Sequence, residues 1–312
     1  MRNGKILVTG GAGFIGSHLV TELARRGYLI KVLDNLSTGK LSNISSDLLT
    51  ANVEFVQGDI RDSRVVQECV AKVDAVVHHA AQTSVPFSIQ NPDFNNDVNI
   101  GGTSNLLHTS VESNLAKFIF ISSCAVYGDP ALLPVDEQQK PDPISPYAQS
   151  KHVAEQECMR LDQKHSLNCV VLRLFNVYGP RQGLSEYSGV ITKFIDRIKQ
   201  GLPLIIYGDG SQTRDFVYVR DVVEAVLLAL GNRKAEGEVF NVGTGRATSI
   251  QELAETMLSL TGAKLGIVKA PARQGDIKES YADISKANRL LAYKPKFLLK
   301  DGLKDLLTAS GF

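Results

Sequence analysis

Cysteine and histidine are scarce in this chain. The 312 residues include four cysteines and six histidines, with no CxxC pair and no cluster of the two residue types. Such spacing is typical of free thiols in a reducing compartment, and it supplies no zinc-type ligand set. We therefore expect no metal site. The cysteines are Cys69, Cys124, Cys158 and Cys169.

Net charge and long apolar runs are also nearly lacking. The formal net charge is +1 and the sequence pI is about 7.7, so bulk electrostatics favour neither a nucleic-acid nor a membrane partner. No apolar run approaches the roughly 18 residues that span a bilayer. The first residues, MRNGKILVTGG, enter a strand without the apolar region of a signal peptide. These features predict a cytoplasmic protein.

Short, apolar, β-branched segments alternate with helical stretches over the first 175 residues. A helix with Ile15, Leu19 and Leu23 on one face follows the first of these segments. Such alternation is typical of an α/β fold with a parallel, doubly wound (Rossmann) sheet. The predicted strands are Lys5–Thr9, Leu29–Asp34, Val53–Gln57, Ala75–His79, Phe118–Ser122 and Cys169–Leu174.

The rhythm changes after residue 175, where Gly, Pro and charged residues become denser. We predict a smaller, discontinuous α/β lobe here, closing over the carboxyl edge of the sheet, where ligands bind in such folds. Val217–Leu230 resembles a strand-to-helix return to the first domain. The predicted division is a dinucleotide-binding domain over 1–175, rejoined by 215–236, and a substrate lobe over 176–214 and 237–312.

A glycine motif follows the first strand and opens a helix. Gly10, Gly13 and Gly16 in TGGAGFIG allow a tight turn, close approach to a pyrophosphate, and helix-on-strand packing, respectively. The N–H groups at the helix start suit an anion. The motif in this setting predicts dinucleotide binding.

Asp34 ends the second strand, 18 residues past Gly16. A carboxylate there accepts hydrogen bonds from a ribose diol and repels a 2′-phosphate, and no Arg follows in 35–37. The sequence therefore predicts NAD rather than NADP. Asp59 and Ile60, after the third strand, could meet the adenine, although GDI is also an ordinary turn sequence.

Tyr147 and Lys151 stand four residues apart in SPYAQSK, so they share one helix face. A phenol pKa of about 10 is too high for a base near neutrality. The Lys151 ammonium and a positive nicotinamide would both favour phenolate. Ser123, at the end of the strand KFIFISS, can hydrogen-bond the reacting oxygen. These three residues predict reversible oxidation of an alcohol.

The motifs together resemble the extended short-chain dehydrogenase/reductase family, and within it the NAD-dependent nucleotide-sugar 4-epimerases. The resemblance covers essentially the whole chain, in the family's order and spacing. The motifs are TGGAGFIGSHLV, VLDNLSTG, HHAA, SSCAVYG, SPYAQSK, RLFNVYGPRQ, GDGSQTRDFVYV, FNVGTG and ARQGD.

The resemblance implies a role for many positions of this chain. Ser123, Tyr147 and Lys151 match the catalytic residues. The implied NAD contacts are Gly10, Gly13, Phe14, Ile15, Gly16, Asp34, Asn35, Ser37, Asp59, Ile60, Ala80, Ala81, Asn99, Ser122, Tyr147 and Lys151. The implied contacts to a UDP-sugar are Ser123, Asn176, Val190, Ile206, Tyr207, Arg214, Arg273, Asp276 and Ser280.

Within the substrate set, the resemblance implies distinct parts. Arg214 and Arg273 would grip the diphosphate with Asn176, because guanidinium groups suit phosphate better than ammonium groups do. Ile206 and Tyr207 would line the base pocket. Asp276, by the same resemblance, would hold the ribose.

Two departures from relatives bear on the reaction and the sugar. The 4,6-dehydratases carry Thr-Asp-Glu where this chain has Ser123-Cys124-Ala125, which argues against dehydration. Small residues at the gate beside the sugar C2 substituent admit an N-acetyl group, whereas a bulky Tyr restricts the site to plain hexoses. Counting from the RQGD motif, the resemblance implies Ser280 at this gate, and a slip of one position would place Tyr281 there.

The resemblance thus implies an isomerase that epimerises C4 of a UDP-hexose through a 4-keto intermediate. UDP-N-acetylglucosamine and UDP-N-acetylgalactosamine are the expected pair, with UDP-glucose and UDP-galactose as the alternative. A nucleotide-sugar decarboxylase and a non-catalytic NAD-binding sensor are weaker alternatives. A homodimer is expected through helices near residues 91–115 and 147–165.

Overall fold

A seven-stranded parallel sheet forms the centre of the chain. The computed structural model describes residues 4–183, 189–273 and 275–312. The strands are β1 Lys5–Thr9, β2 Leu29–Asp34, β3 Val53–Gln57, β4 Ala75–His78, β5 Lys117–Ser123, β6 Cys169–Leu174, β7 Asn176–Tyr178, β8 Leu204–Tyr207, β9 Thr213–Arg214, β10 Phe216–Tyr218, β11 Glu238–Val242, β12 Thr248–Ser249, β13 Ile267–Ala270 and β14 Glu279–Ser280. The order in the central sheet is β11-β6-β5-β4-β1-β2-β3. The predicted doubly wound fold is confirmed, and β1–β6 match the predicted strands within one residue at each end.

Helices cover both faces of this sheet. They are α1 Phe14–Arg25, α2 Ser63–Val70, α3 Val85–Gln90, α4 Pro92–Asn96, α5 Thr103–Glu112, α6 Pro146–His165, α7 Val190–Lys199, α8 Val219–Gly231, α9 Ile250–Thr261, α10 Ser285–Leu291 and α11 Leu299–Ala309. Alternate residues of a strand point to opposite faces. Ile6 and Val8 therefore pack with α1, α8 and α10, whereas Leu7 packs with α2, α5 and α6. Burial on both faces explains why the strands are continuously apolar.

The strand order reverses between β1 and β4. The chain runs from β1 outward to β2 and β3, then returns to β4 on the other side of β1 and continues to β5 and β6. The carboxyl ends of the parallel strands meet at one edge, which brings Thr9, Asp34, His78 and Ser123 to the same side. Ligands bind at such a reversal point in open α/β sheets.

A smaller lobe stands at this edge. Its core is supplied by α7, β8, α9 and α11, together with Tyr178 and Tyr218. Its sheets are small: β7 pairs with β10, β8 with β13, and β9 with both β12 and β14. Phe14 and Ile15, at the start of α1, pack against this core. The helix that follows the glycine motif therefore contacts both parts of the molecule.

The sequence-based boundary at residue 237 differs from the structure at β11. This strand pairs with β6 as the last strand of the central sheet, with Glu238 opposite Val170. Residues of α10 also pack on the face of that sheet that carries Ile6 and Val8. The strand follows α8 after a short turn. The chain therefore remains in the central sheet at β11, whereas the predicted division assigned these residues to the small lobe. The return through α8 does occur, since α8 packs on α1 and β5.

None of the described helices combines the length and apolarity needed to cross a membrane. The described residues contain no group of three or more His, Cys, Asp or Glu side chains placed to hold a metal ion.

Candidate active site

The glycine turn between β1 and α1 has no room for side chains. Gly10 has φ +68°, and its N–H donates to the Leu33 carbonyl at 2.8 Å. A Cβ atom on Gly10 would lie 2.7 Å from the Ala80 nitrogen, and one on Gly16 would lie 2.2 Å from the Gly10 oxygen. Gly13, which precedes α1, has no side chain to cap the helix, so the first N–H groups are left for an anion.

Asp34 stands beside this turn at the end of β2. Its Oδ2 accepts from the Ala12 N–H at 2.9 Å, and its Oδ1 accepts from the Leu36 N–H at 2.8 Å. A Cβ on Gly39 would lie 3.0 Å from either carboxylate oxygen. The carboxylate is buried and held in one place, and a 2′-phosphate brought there would meet a negative charge.

Asn35 and Asp59 form a second polar pair at this edge. The Asn35 amide donates to Asp59 at 2.9 Å, and its oxygen accepts from the Ser37 N–H at 3.0 Å. Arg61 binds the Asp59 carboxylate at 2.9 Å, and its hydrogen bonds hold the pKa of that carboxyl well below the ordinary value. Ile60 is buried. Asp59 thus orders the segment that follows β2.

The segment after β4 is held by Asn99. Its buried amide donates to the Gln82 carbonyl at 3.0 Å and to the Ser150 hydroxyl at 3.0 Å, while its oxygen accepts from the Gln82 N–H at 2.8 Å. The Ala80 N–H donates to the Thr9 hydroxyl at 3.3 Å. Asn99 therefore positions residues 80–82, and its direct contact with a cofactor stays a prediction.

Ser123 and Tyr147 meet at the end of β5. The Ser123 hydroxyl accepts from the Ala125 N–H at 3.2 Å and caps the helical turn Cys124–Tyr127. Tyr147 is the second residue of α6, after Pro146, and its phenol is near enough to Ser123 for that side chain to lower its pKa. Parallel pairing and the start of α6 thus bring together two of the predicted catalytic residues.

Burial controls the titration of Tyr147. It raises the pKa of the phenol to about 12, and the Ser123 side chain opposes the rise. The prediction that Lys151 lowers this pKa is not met in the protein alone. The Lys151 ammonium is instead held by the Ile121 carbonyl at 2.9 Å and lies 4.8 Å from the centre of the Phe120 ring. A cationic ligand is needed to bring the phenol nearer neutrality.

Cys124, next to Ser123, is a neutral thiol. Burial raises its pKa to about 12, with Asp215 raising it further and Arg214 opposing. A thiol in this state is not a nucleophile near neutrality. Arg214 belongs to β9 of the small lobe, so charge from that lobe acts on the residue next to Ser123.

The predicted substrate side chains form two contacts in the small lobe. Arg214 donates to Asp276 at 2.6 Å across a partly buried ion pair. The guanidinium carbon of Arg273 lies 3.8 Å from the centre of the Tyr207 ring, which is 37% exposed. These pairs place two guanidinium groups, a carboxylate and an exposed aromatic ring in the small lobe.

Residues 6–243 match the model of the NAD dependent epimerase/dehydratase family. The chain belongs to this family. It is 37% identical over 301 residues to a UDP-glucose 4-epimerase of Mycolicibacterium smegmatis, covering 96% of each chain. A Thermotoga maritima UDP-glucose 4-epimerase crystallised with UDP-glucose superposes with a TM-score of 0.93 at 39% identity, covering 98% of both chains. A UDP-N-acetylglucosamine 4-epimerase from Methanobrevibacter ruminantium M1, in complex with UDP-N-acetylmuramic acid, gives 0.94 at 35%, covering 99% of this chain and 98% of that one.

Membership of the NAD-dependent epimerase/dehydratase family confirms several predictions. The resemblance to extended short-chain dehydrogenase/reductases, the NAD cofactor and the isomerase class agree with the family and with these relatives. The residues also fit the cofactor. The turn at Gly10 and Gly16 leaves backbone for a pyrophosphate to approach, and Asp34 is placed for a ribose diol.

Gly16→Ala tests the glycine turn in this NAD-dependent family member. The added methyl would meet the Gly10 carbonyl, which is backbone and cannot move aside. We expect the free energy of unfolding to fall by about 1–3 kcal/mol and NAD affinity to fall by about tenfold, a 1.4 kcal/mol change. Thermal unfolding and calorimetric NAD titration measure both. Gly231→Ala, where nothing lies within 4 Å of the added atom, is the control. Unchanged NAD affinity in Gly16→Ala would contradict the role of this turn.

The remaining predicted substrate residues lie in different parts of the structure. Ile206 is fully buried in the core of the small lobe, next to the exposed Tyr207, and its part in a base pocket stays a prediction. The Asn176 N–H donates to the Asp215 carbonyl at 2.9 Å. Val190 begins α7. Ser280 is buried and lies opposite Arg214 in the pairing of β14 with β9.

Asp215 is an organising residue that motif reasoning did not assign. It is fully buried and accepts from the Thr244 hydroxyl at 2.6 Å, the Gly245 N–H at 2.9 Å and the Ala282 N–H at 3.2 Å. Asp215, which directly follows Arg214, therefore joins β9 to two distant loops. Asp215 is part of the TRDF motif, and Thr244 and Gly245 are part of VGTG, but the contact between the two motifs depends on the tertiary fold.

Proposed function

We propose that the protein interconverts the C4 epimers of a UDP-hexose through a 4-keto sugar, with NAD as the tightly held cofactor. The preferred pair in this proposal is UDP-N-acetylglucosamine and UDP-N-acetylgalactosamine. The observation that carries it is the placement of Ser123, at the end of β5, beside Tyr147, at the start of α6, on the strand edge that also holds the glycine turn. An alcohol placed there meets a hydroxyl donor and a phenol together.

Each side chain has a separate task in this reaction. Tyr147 takes the proton from the sugar O4 and later returns it, and Ser123 hydrogen-bonds the same oxygen. The glycine turn and Asp34 would hold NAD, which would supply the acceptor and donor of hydride for the two faces of C4. The positive charge of the oxidised cofactor favours the phenolate, against the burial that raises the pKa of Tyr147 to about 12.

Binding through the nucleotide allows both sugar faces to be presented. Arg214 and Arg273 hold the diphosphate, with Asn176 as a further donor. The hexose turns about its link to this fixed anchor before the hydride returns. Binding energy spent far from C4 leaves the sugar free to rotate, which strong contacts to one epimer would prevent.

The residues after Ser123 argue against dehydration. Elimination of water from the sugar needs an acid and a base near C5 and C6. Cys124 is neutral with a pKa raised to about 12 by burial, and Ala125 cannot titrate. In this proposal the 4-keto sugar is therefore not dehydrated, and the next step is the return of the hydride to C4.

The size of Ser280 favours an N-acetylated sugar. It is a small side chain next to Arg214 in the strand pairing, whereas a large aromatic side chain would occupy that space. UDP-glucose and UDP-galactose are the second candidate pair, which the Mycolicibacterium and Thermotoga relatives named UDP-glucose 4-epimerase favour. Offering UDP-glucose and UDP-N-acetylglucosamine separately, and measuring each C4 epimer, tests both.

Ser280→Tyr is expected to separate the two sugars. We expect kcat/KM for UDP-N-acetylglucosamine to fall at least about tenfold more than for UDP-glucose, since a ring there meets the N-acetyl group; tenfold corresponds to about 1.4 kcal/mol. Epimer formation followed by chromatography measures it. Ser285→Tyr, at the exposed start of α10, is the matched control. Equal losses for both sugars would show that the gate lies elsewhere.

We also propose a cytoplasmic homodimer. The four cysteines are free thiols, in line with a reducing compartment. α5 and α6 pack side by side on one face of the sheet, and the preceding segment exposes Val85, Ile89 and Phe94. A second copy would cover these apolar side chains. Light scattering coupled to gel filtration measures the mass, and a monomer at micromolar concentration would refute the dimer.

A further inference from the structure

A buried ion pair lies one helical turn behind Lys151. Glu155 follows Lys151 by four residues on α6, so the two side chains share a helix face. Arg173, on β6, donates from Nε to Glu155 Oε1 at 3.0 Å and from Nη2 to Oε2 at 2.6 Å. Their side chains are only 6% and 4% exposed. The guanidinium also stacks on the Tyr127 ring at 4.7 Å.

Stability alone is a weak reason for such a pair. Removing two charges from water costs several kcal/mol each, so apolar residues of the same size often stabilise a core as well or better. The same helix also carries an ion pair at its exposed surface, between Arg160 and Glu157 at 2.7 Å, with which the buried pair can be compared. A pair buried directly behind a proposed catalytic ammonium suggests a role in the site.

Lys151 is surrounded mainly by neutral groups. β5 contributes the Phe120 ring and the Ile121 carbonyl. β4 leads to His78 and His79, whose pKa values are lowered by burial, so both are neutral near neutrality.

On α6 itself, the titratable neighbours of Lys151 include two neutral groups and a carboxylate. Tyr147 and Cys158 are neutral because burial raises the pKa of each. Burial favours the neutral form of Glu155, but the His152 ring 3.8 Å away and the Arg173 guanidinium outweigh it, so the pKa of the carboxyl is lowered and the group stays ionised. Glu155 is therefore the negative charge that favours the Lys151 ammonium.

We propose that Glu155, held by Arg173, is a positioning residue that keeps Lys151 protonated at the active-site edge. It acts through Lys151 and does not touch the reacting atoms. The role rests on the proposed function, because the ammonium matters there for favouring the Tyr147 phenolate and for holding a ribose hydroxyl.

The direction of the pH effect follows from the charges. Burial lowers the pKa of Lys151 to about 8, and the Glu155 carboxylate opposes this shift. Removing that carboxylate leaves burial unopposed, so the pKa of Lys151 falls further. The ammonium is then lost at a lower pH, and activity declines earlier on the alkaline side while acidic conditions restore it.

Glu155→Gln is the main test, because glutamine keeps the shape and one acceptor for Arg173. We expect the alkaline limb of the kcat/KM profile to move down by about one pH unit. This shift is the size expected when an ammonium loses the attraction of a carboxylate one helical turn away. Glu157→Gln, on the same helix at the exposed pair, should leave the profile unchanged. Arg173→Lys keeps a cation beside Glu155, so this variant should show the same pH profile as the wild type.

A second readout measures Lys151 directly. Carbon NMR of protein labelled with [ε-¹³C]lysine, with Lys151→Met used to assign the signal, follows the Lys151 titration without any turnover. The double variant Glu155→Gln/Arg173→Met removes both charges, so it avoids the unpaired buried arginine that destabilises the single variant. It should show the same downward shift if the single variant does not fold.

The outcomes distinguish the two proposals. A uniform loss of kcat with an unmoved profile and an unmoved Lys151 titration would overturn the role of Glu155. A wild-type protein that epimerises no UDP-sugar would overturn the proposed function, while the lysine titration would still decide the effect of Glu155 on Lys151.

Discussion

Tyr147→Phe is expected to lower kcat for UDP-sugar epimerisation by about a thousandfold, within the range that a positioned acid–base group contributes. Phenylalanine fills the same volume, and the Tyr147 N–H bond to the Ser88 hydroxyl at 3.1 Å is a backbone contact that survives. UDP binding should therefore persist within a few-fold. The loss is confined to the phenol beside Ser123.

Steady-state kinetics and UDP calorimetry measure these two effects separately. Tyr28→Phe is the matched control, because Tyr28 precedes β2 at the opposite end of the sheet from the glycine turn. Its kcat should equal that of the wild type. Turnover within tenfold of wild type in Tyr147→Phe would show that another group is the base.

Arg214→Met is expected to raise the KM for UDP-sugar about a hundredfold with a much smaller change in kcat. Loss of one charged partner at a desolvated phosphate contact costs about 2–5 kcal/mol. Part of the penalty arises because Asp276, which Arg214 binds at 2.6 Å, is left facing the diphosphate without its cation. The proton transfer at Tyr147 is unaffected by this change.

Calorimetric titration with UDP alone isolates the anchor from the chemistry. Arg220→Met serves as the control, since Arg220 is 60% exposed and pairs with Asp305 outside the proposed site. Affinity for UDP should be unchanged there. A fall in kcat with unchanged UDP affinity in Arg214→Met would move this arginine from the anchor to the catalytic step.

Local patterns were sufficient for much of the fold. The strands β1–β6 are short, continuously apolar segments, because both of their faces are covered by helices. The turn at Gly10 and Gly16 was predictable because backbone geometry there excludes any side chain. Both depend on residues near each other in the chain.

Other features depend on burial or charge that distant elements set. Ile206 belongs to an apolar strand, yet only the packing of α7 and α9 shows that its side chain is internal. The pKa of Tyr147 depends on burial, which the neighbouring Ser123 only partly offsets. The place of β11 depends on its pairing with β6.

The amino-acid sequence by itself determined the parallel sheet, the NAD-type glycine turn with Asp34, and the presence of Ser123, Tyr147 and Lys151. These features arise from periodicity and from backbone requirements within a few residues. Only the tertiary structure decided which charges meet: Arg214 with Asp276, and Glu155 with Arg173. Such pairs join residues far apart in the chain, and their effect depends on burial, which no local pattern records.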